Sequence, residues 1–155
     1  MNILKLFGKD YLTKKSAKLF DKGYAEFEKG NYKKAVDNFL DSLRALEEAD
    51  IDQSKKNEGI ANNLAMLAHT RGKIGQFELA EQDLARALTL KPDDVGIYWS
   101  LGSLKLDQNQ FKEGIPIFEK MIELSPLDSN GHFFRGVCML ELGNIESLFL
   151  TSKNL

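Results

Sequence analysis

Apolar residues recur three and four apart along most of the chain, the spacing that lines one face of an α-helix. The clearest stretch is VGIYWSLGSLKLDQNQFKEGIPIFEKMIELSP, which starts at Val95. In it Tyr98, Leu101, Leu104 and Leu106 mark one helix, and Phe111, Ile115, Phe118, Met121, Ile122 and Leu124 mark a second. DQNQ separates the two and Pro126 stops the second. Sliding the chain by 34 residues lays this unit on its neighbours. Gly102 then falls on Ala68 and Gly136, Phe111 on Phe77 and Ile145, Gly114 on Ala80, Phe118 on Leu84, Met121 on Ala87, and Pro126 on Pro92.

Each element of the pattern has a mechanical reason. Gly75 and Gly143 suit the left-handed end of a helix, and Asn109 tolerates the same conformation. Gly102, Ala68 and Gly136 carry almost no side chain, so the first helix of each pair can approach the second closely there. Phe111 and Phe77 fill the space beyond the turn. Asp93 or Asp94, then Asp128 or Ser129, can cap the helices that follow the prolines. Pro116 removes a backbone hydrogen bond inside its helix, at about 3 kcal/mol in a regular helix, and predicts a bend.

Residues 16–49 hold an earlier copy, in which Leu19, Gly23, Gly30, Tyr32, Ala35 and Phe39 take the places of Tyr98, Gly102, Asn109, Phe111, Gly114 and Phe118. The offset from Gly23 to Ala68 is 45 rather than 34 residues. The excess is about three helical turns. It falls in RALEEADIDQSKKNEG, which is charged and free of proline, and this predicts longer helices on both sides of a break near Asp50 to Gln53. Further copies occupy residues 61–94 and 95–128, and a truncated one occupies 129–155, with its second helix starting after Asn144. Residues 1–15 put Ile3, Leu4, Phe7 and Tyr11 on one side with lysines elsewhere and are interrupted by Gly8. They are expected to cap the first copy, weak contact with an anionic membrane surface being the competing reading. A lone helical hairpin cannot bury its apolar face, so the copies must stack.

This 34-residue self-similarity of small and aromatic residues resembles the tetratricopeptide repeat family. The resemblance implies an all-α fold, a right-handed superhelical stack of helix-turn-helix repeats, three complete plus a truncated fourth. It also implies a protein-binding scaffold whose concave groove is lined by the first helix of each pair. Carried over position by position, the groove comprises Phe20, Tyr24 and Phe27, then Asn62, Ala65, Met66 and His69, then Trp99, Ser103 and Leu106, and finally Phe133 and Val137. About half of these are expected to pack between helices instead, Phe27 and Leu106 foremost. Some family members hold acidic C-terminal tails of chaperones with a clamp of Lys, Asn and Arg. The matching places here are Phe20, Tyr24, Met66, Gly96 and Ser100, which offer no cation. The expected partner is therefore an apolar peptide or amphipathic helix; the alternative is a small bacterial secretion-type chaperone that keeps a client soluble.

Composition narrows the remaining classes. The chain has 155 residues, enough for one domain with a sizeable core. A net charge of -2 and a pI near 5.7 argue against nucleic acid as the partner. The balance is uneven, with nine lysines against four acids up to residue 35 and twelve bases against nineteen acids after it. Cys138 is the only cysteine, so there is no intrachain disulfide and no cysteine zinc site. A buried core thiol in a reducing, cytoplasmic setting is expected. No signal-peptide core and no run of about 18 apolar residues occurs. His69 and His132 sit on different copies without metal-ligand spacing, and no glycine-rich phosphate loop is present, so no catalytic residue, metal, cofactor or small-molecule substrate is expected. Near the C-terminus Ile145, Leu148 and Phe149 form an apolar stripe diluted only by Glu146 and Lys153, which predicts a homodimer through this helix or a chain cut from a longer one.

Overall fold

Three short turns, at Gly30, Gly75 and Asn109, share one hydrogen-bonding pattern in the computed structural model, which describes the backbone of residues 3–152 and the side chains of residues 11–143. The two glycines have φ of +76° and Asn109 has φ of +56°. The N–H groups of Asn31, Gln76 and Gln110 donate to the carbonyls of Glu26, Arg71 and Lys105 at 2.9, 2.9 and 2.8 Å. Such a closure, made over one left-handed residue, satisfies the orphan carbonyls at a helix end. The next helix begins at once, with the N–H of Ala35, Ala80 and Gly114 donating to Asn31, Gln76 and Gln110 at 3.0 Å in each case.

The elements are α1 (Ile3–Glu28), α2 (Tyr32–Glu48), α3 (Gln53–Lys73), α4 (Phe77–Leu90), α5 (Val95–Asp107), α6 (Phe111–Leu124) and α7 (Ser129–Ser152). Among the described residues there is no strand. The chain divides into two compact units, Met1–Pro92 and Asp93–Leu155.

In the first unit α1 packs on α2, α2 on α3 and α3 on α4. The insertion between the first two copies is helix on both sides of a short link, because α2 has 17 residues and α3 has 21 where α4 has 14. Asp52 starts α3 by accepting the N–H groups of Ser54 and Lys55 at 3.0 and 3.2 Å. Phe39 is fully buried. It lies so close to α1 that a Cβ at Gly23 would stand 2.8 Å from its ring. Between α3 and α4, Arg71 pairs with Asp83, both largely buried. Burial pushes the Asp83 carboxyl up against the downward pull of Arg71. Asp83 thus holds its proton more readily folded than unfolded, so its ionisation is a cost present above the folded pKa and relieved as pH falls through it.

In the second unit α5 packs on α6 and α6 on α7. A Cβ at Gly102 would stand 2.5 Å from the buried Phe118 ring. Asp94 accepts the Ile97 N–H at 3.2 Å and Asp128 the Asn130 N–H at 2.9 Å, which settles both capping alternatives in favour of these two aspartates. Helix α6 continues through the exposed Pro116.

Three expectations fail. No turn forms at Gly143, because α7 runs through it and Asn144 to Ser152, and the helix expected after Asn144 is the latter part of α7. The residue types explain this. Ala35, Ala80 and Gly114 are buried where the second helix of each pair meets its neighbours, and the matching residue here is the much larger Leu148. Without a returning helix Gly136 is no contact point: it is exposed, and a Cβ added there would meet nothing within 4 Å. Gly8 does not interrupt the N-terminal segment either, since α1 runs from Ile3 through it to Glu28.

Gly102 and Gly136 hold the same repeat position in opposite surroundings, so substitutions there should have opposite signs. Gly102→Val is expected to cost about 1 to 3 kcal/mol by overpacking against Phe118. Gly136→Ala is expected to stabilise by about 0.5 to 1 kcal/mol by removing a helical glycine. Urea unfolding followed by Trp99 fluorescence measures both.

A groove between α1 and α3 as the candidate binding site

Thr13, Ser16, Ala17, Phe20 and Asp21 recur three and four apart on α1 and turn one face of it to an open groove. Lys55, Gly59, Asn62 and Asn63 do the same for α3. Leu46 of α2 contributes from below, and Asp50, Ile51 and Asp52 of the α2 to α3 link close one end. The groove has a volume of about 740 Å³, inside the range of roughly 300 to 1,000 Å³ usual for ligand sites. It exists because Ser16, Ala17 and Gly59 are small. Gly59 could hardly be larger, for a Cβ there would lie 2.6 Å from Leu46.

Under the groove runs a buried polar chain that ties three helices together. Ser42 donates to the Ser16 carbonyl at 2.9 Å, the two hydroxyls stand 3.0 Å apart, and the Asn63 amide donates to the Ser42 oxygen at 3.0 Å. Asn63 is 4% exposed. Its Oδ1 accepts no hydrogen bond. A buried acceptor left without a donor costs about 1 to 3 kcal/mol. The rim carries Asp21, Asp50, Asp52 and Lys55, all exposed.

Of the predicted groove residues in this unit, Phe20 and Asn62 line the cavity. Phe20, Phe27 and Met66 pack against the buried Ala35, Phe39 and Leu67, with the Phe20 and Phe39 rings 5.4 Å apart. Phe27 meets the His69 ring edge-on at 5.1 Å. Tyr24 is 48% exposed, one turn beyond Phe20, and Ala65 is half-buried. Glu26, near the end of α1, has its carboxyl held below the usual range by hydrogen bonds from Lys29 and then Asn31, which secures the first turn.

In the second unit Trp99 and Leu106 pack against the cluster of Phe118, Met121 and Cys138. Ser103 and Val137 are half-buried. Beside Cys138, α7 packs Phe134 on this cluster, 4.7 Å from Trp99 and 5.7 Å from Phe118, whereas Phe133 is 63% exposed and touches Phe134 edge-on. Burial pushes the Cys138 thiol up, in keeping with a core residue. The side chains of Ile145, Leu148 and Phe149, where self-association was expected, lie outside the described residues, as do those of Ile3, Leu4 and Phe7 at the expected membrane-facing segment. Among the described residues no helix is long and apolar enough to cross a membrane, and no group of three His, Cys, Asp or Glu could hold a metal ion.

Sequence reasoning missed Ser16, Ala17, Asp21, Asn63 and the link aspartates. The available signal was the run of small residues at helical spacing, Thr13, Ser16 and Ala17 on α1 facing Gly59, Asn62 and Asn63 on α3.

Residues 65–129, from within α3 to the start of α7, match the sequence profile described as Tetratricopeptide repeat. That stretch carries tetratricopeptide repeats. Solved structures with the same fold extend the likeness beyond that stretch. The first such domain of Spaghetti, bound to an HSP90 peptide, superposes with a TM-score of 0.69 at 20% identity, covering 84% of this chain and 95% of its own. The second such domain of human RPAP3, in complex with an HSP70 peptide, gives 0.65 at 19%, covering 84% and 98%. The C-terminal domain of a putative FK506-binding protein of Plasmodium falciparum gives 0.71 at 17%, covering 90% and 95%. At such identities the likeness is one of fold.

The two neighbouring phenylalanines of α7 should separate cleanly. Phe134→Ala is expected to cost about 3 kcal/mol and to shift Trp99 emission to the red, because it opens the contact at 4.7 Å. Phe133→Ala should stay within about 0.5 kcal/mol of the parent. Chemical unfolding with emission spectra of the native states measures both.

Proposed function

We propose that this chain is a non-enzymatic protein-binding scaffold, an adaptor that holds an apolar or amphipathic segment of a partner on the first helices of its repeats, with the α1 and α3 groove as the site in the first unit. The observation that carries this is the groove itself, about 740 Å³, with Phe20, Leu46 and Ile51 as apolar wall and a polar rim. A cavity built this way recognises through a few anchor side chains.

The similar structures support peptide binding as the use of the fold, and the residues here alter the peptide. Spaghetti is bound to the peptide SRMEEVD and the human RPAP3 domain to SGPTIEEVD, both acidic toward the C-terminus. The resemblance would seat clamp cations at Phe20, Tyr24, Met66, Gly96 and Ser100, and none of these is basic. An apolar anchor suits Phe20 and Tyr24 better than a carboxylate does.

Selection of a displayed random-peptide library on the full chain tests the reading. The binders should be rich in large apolar residues. They should also lose roughly tenfold or more in affinity on Tyr24→Ala, a half-exposed position whose replacement leaves the helix content unchanged. Binders that are acidic and indifferent to Tyr24→Ala would overturn it.

A further inference from the structure

The rim of the α1 and α3 groove sorts charge. Helix α1 is rich in lysine, yet Lys14, Lys15, Lys18 and Lys22 are all absent from the groove lining, and among the described residues of α1 the charged one that lines the groove is Asp21. The link adds Asp50 and Asp52, and α3 adds Lys55, so among the described lining residues three carboxylates stand against one ammonium around an apolar cavity. Charge of one sign around a pocket favours partners of the other sign and rejects its own. A second observation lies deeper: the amide of Asn63, 4% exposed and lining the groove, has an Oδ1 without a donor while its nitrogen is committed to Ser42.

We infer that this groove takes a cationic amphipathic segment of a partner protein. A large apolar side chain of the segment lies against Phe20, Leu46 and Ile51, and its Lys or Arg heads meet Asp21, Asp50 and Asp52. The inference rests on the reading of the groove as a peptide site. It gives the occupant a charge opposite to that of the acidic peptides in the similar structures.

Three synthetic helix-forming peptides of about four turns, identical on their apolar face and carrying Lys, Glu or Gln on the polar face, are titrated into the isotope-labelled full chain. The Lys peptide should shift the amide signals of Ala17, Asn62 and Asn63 and bind roughly tenfold tighter than the Glu peptide at low salt. Added salt should shrink the gap. Asp21→Lys should narrow it at constant salt. Ala17→Phe, which fills the groove from an exposed position, should abolish the shifts. A Glu peptide that binds as tightly on the same signals overturns the charge inference and leaves the groove as a peptide site. Shifts that survive Ala17→Phe, or that appear only on α5 and α7, overturn both readings, as does the absence of any shift with all three peptides.

Discussion

The close approach of two helices at a residue without a side chain, over a buried phenylalanine, is the contact on which both units depend. In the first unit Gly23 leaves room for Phe39, and in the second Gly102 leaves room for Phe118, both rings fully buried. Any side chain on those glycines would occupy the space of the ring. The left-handed turns at Gly30 and Asn109 serve the same contact. Each ends one helix and starts the next within a few residues, so the glycine on one side and the phenylalanine on the other arrive at the same level. Turn chemistry and core packing thus impose one requirement, and this is why the 34-residue pattern is so easily seen.

Where that requirement lapses, the sequence signal misleads. The stretch Gly143, Asn144, Ile145 copies the turn residues of the earlier repeats, yet α7 continues through it. Turn residues permit a reversal; they do not drive one. The drive is burial of the returning helix, and Leu148 stands at the place where Ala35, Ala80 and Gly114 are buried. Gly136 shows the result from the other side, a small residue held over from the repeat pattern with open space before it. Phe133, Met139 and Leu140 are exposed on the same helix for the same reason.

The fold was therefore legible at the level of helices, turns and caps, because each is set by residues near one another in the chain. Gly30, Gly75, Asn109, Asp52, Asp94 and Asp128 each act within five positions of themselves. The groove was not legible in the same way. Its lining joins α1, α3 and a link whose length departs from the repeat, and its volume comes from side chains that are missing, at Ser16, Ala17 and Gly59. Aromatic residues drew attention instead, and most of them serve the core. Phe27 packs against Tyr32 and His69, and Trp99 against Phe134. A large apolar side chain at helical spacing is first a packing residue, and binding sites in a repeat fold arise where such packing leaves a gap.

The polar chain beneath the groove links that gap to the fold. Ser16, Ser42 and Asn63 come from α1, α2 and α3, and their hydrogen bonds of 2.9 to 3.0 Å fix the level of the three helices against one another. Aliphatic residues of similar size would pack there without any need for partners. Such residues would not, however, specify one register among the several that a smooth apolar surface allows. The same chain leaves Asn63 Oδ1 without a donor at the groove. The arrangement that sets the helices thus carries one unmet buried acceptor beside the groove, at a cost of about 1 to 3 kcal/mol.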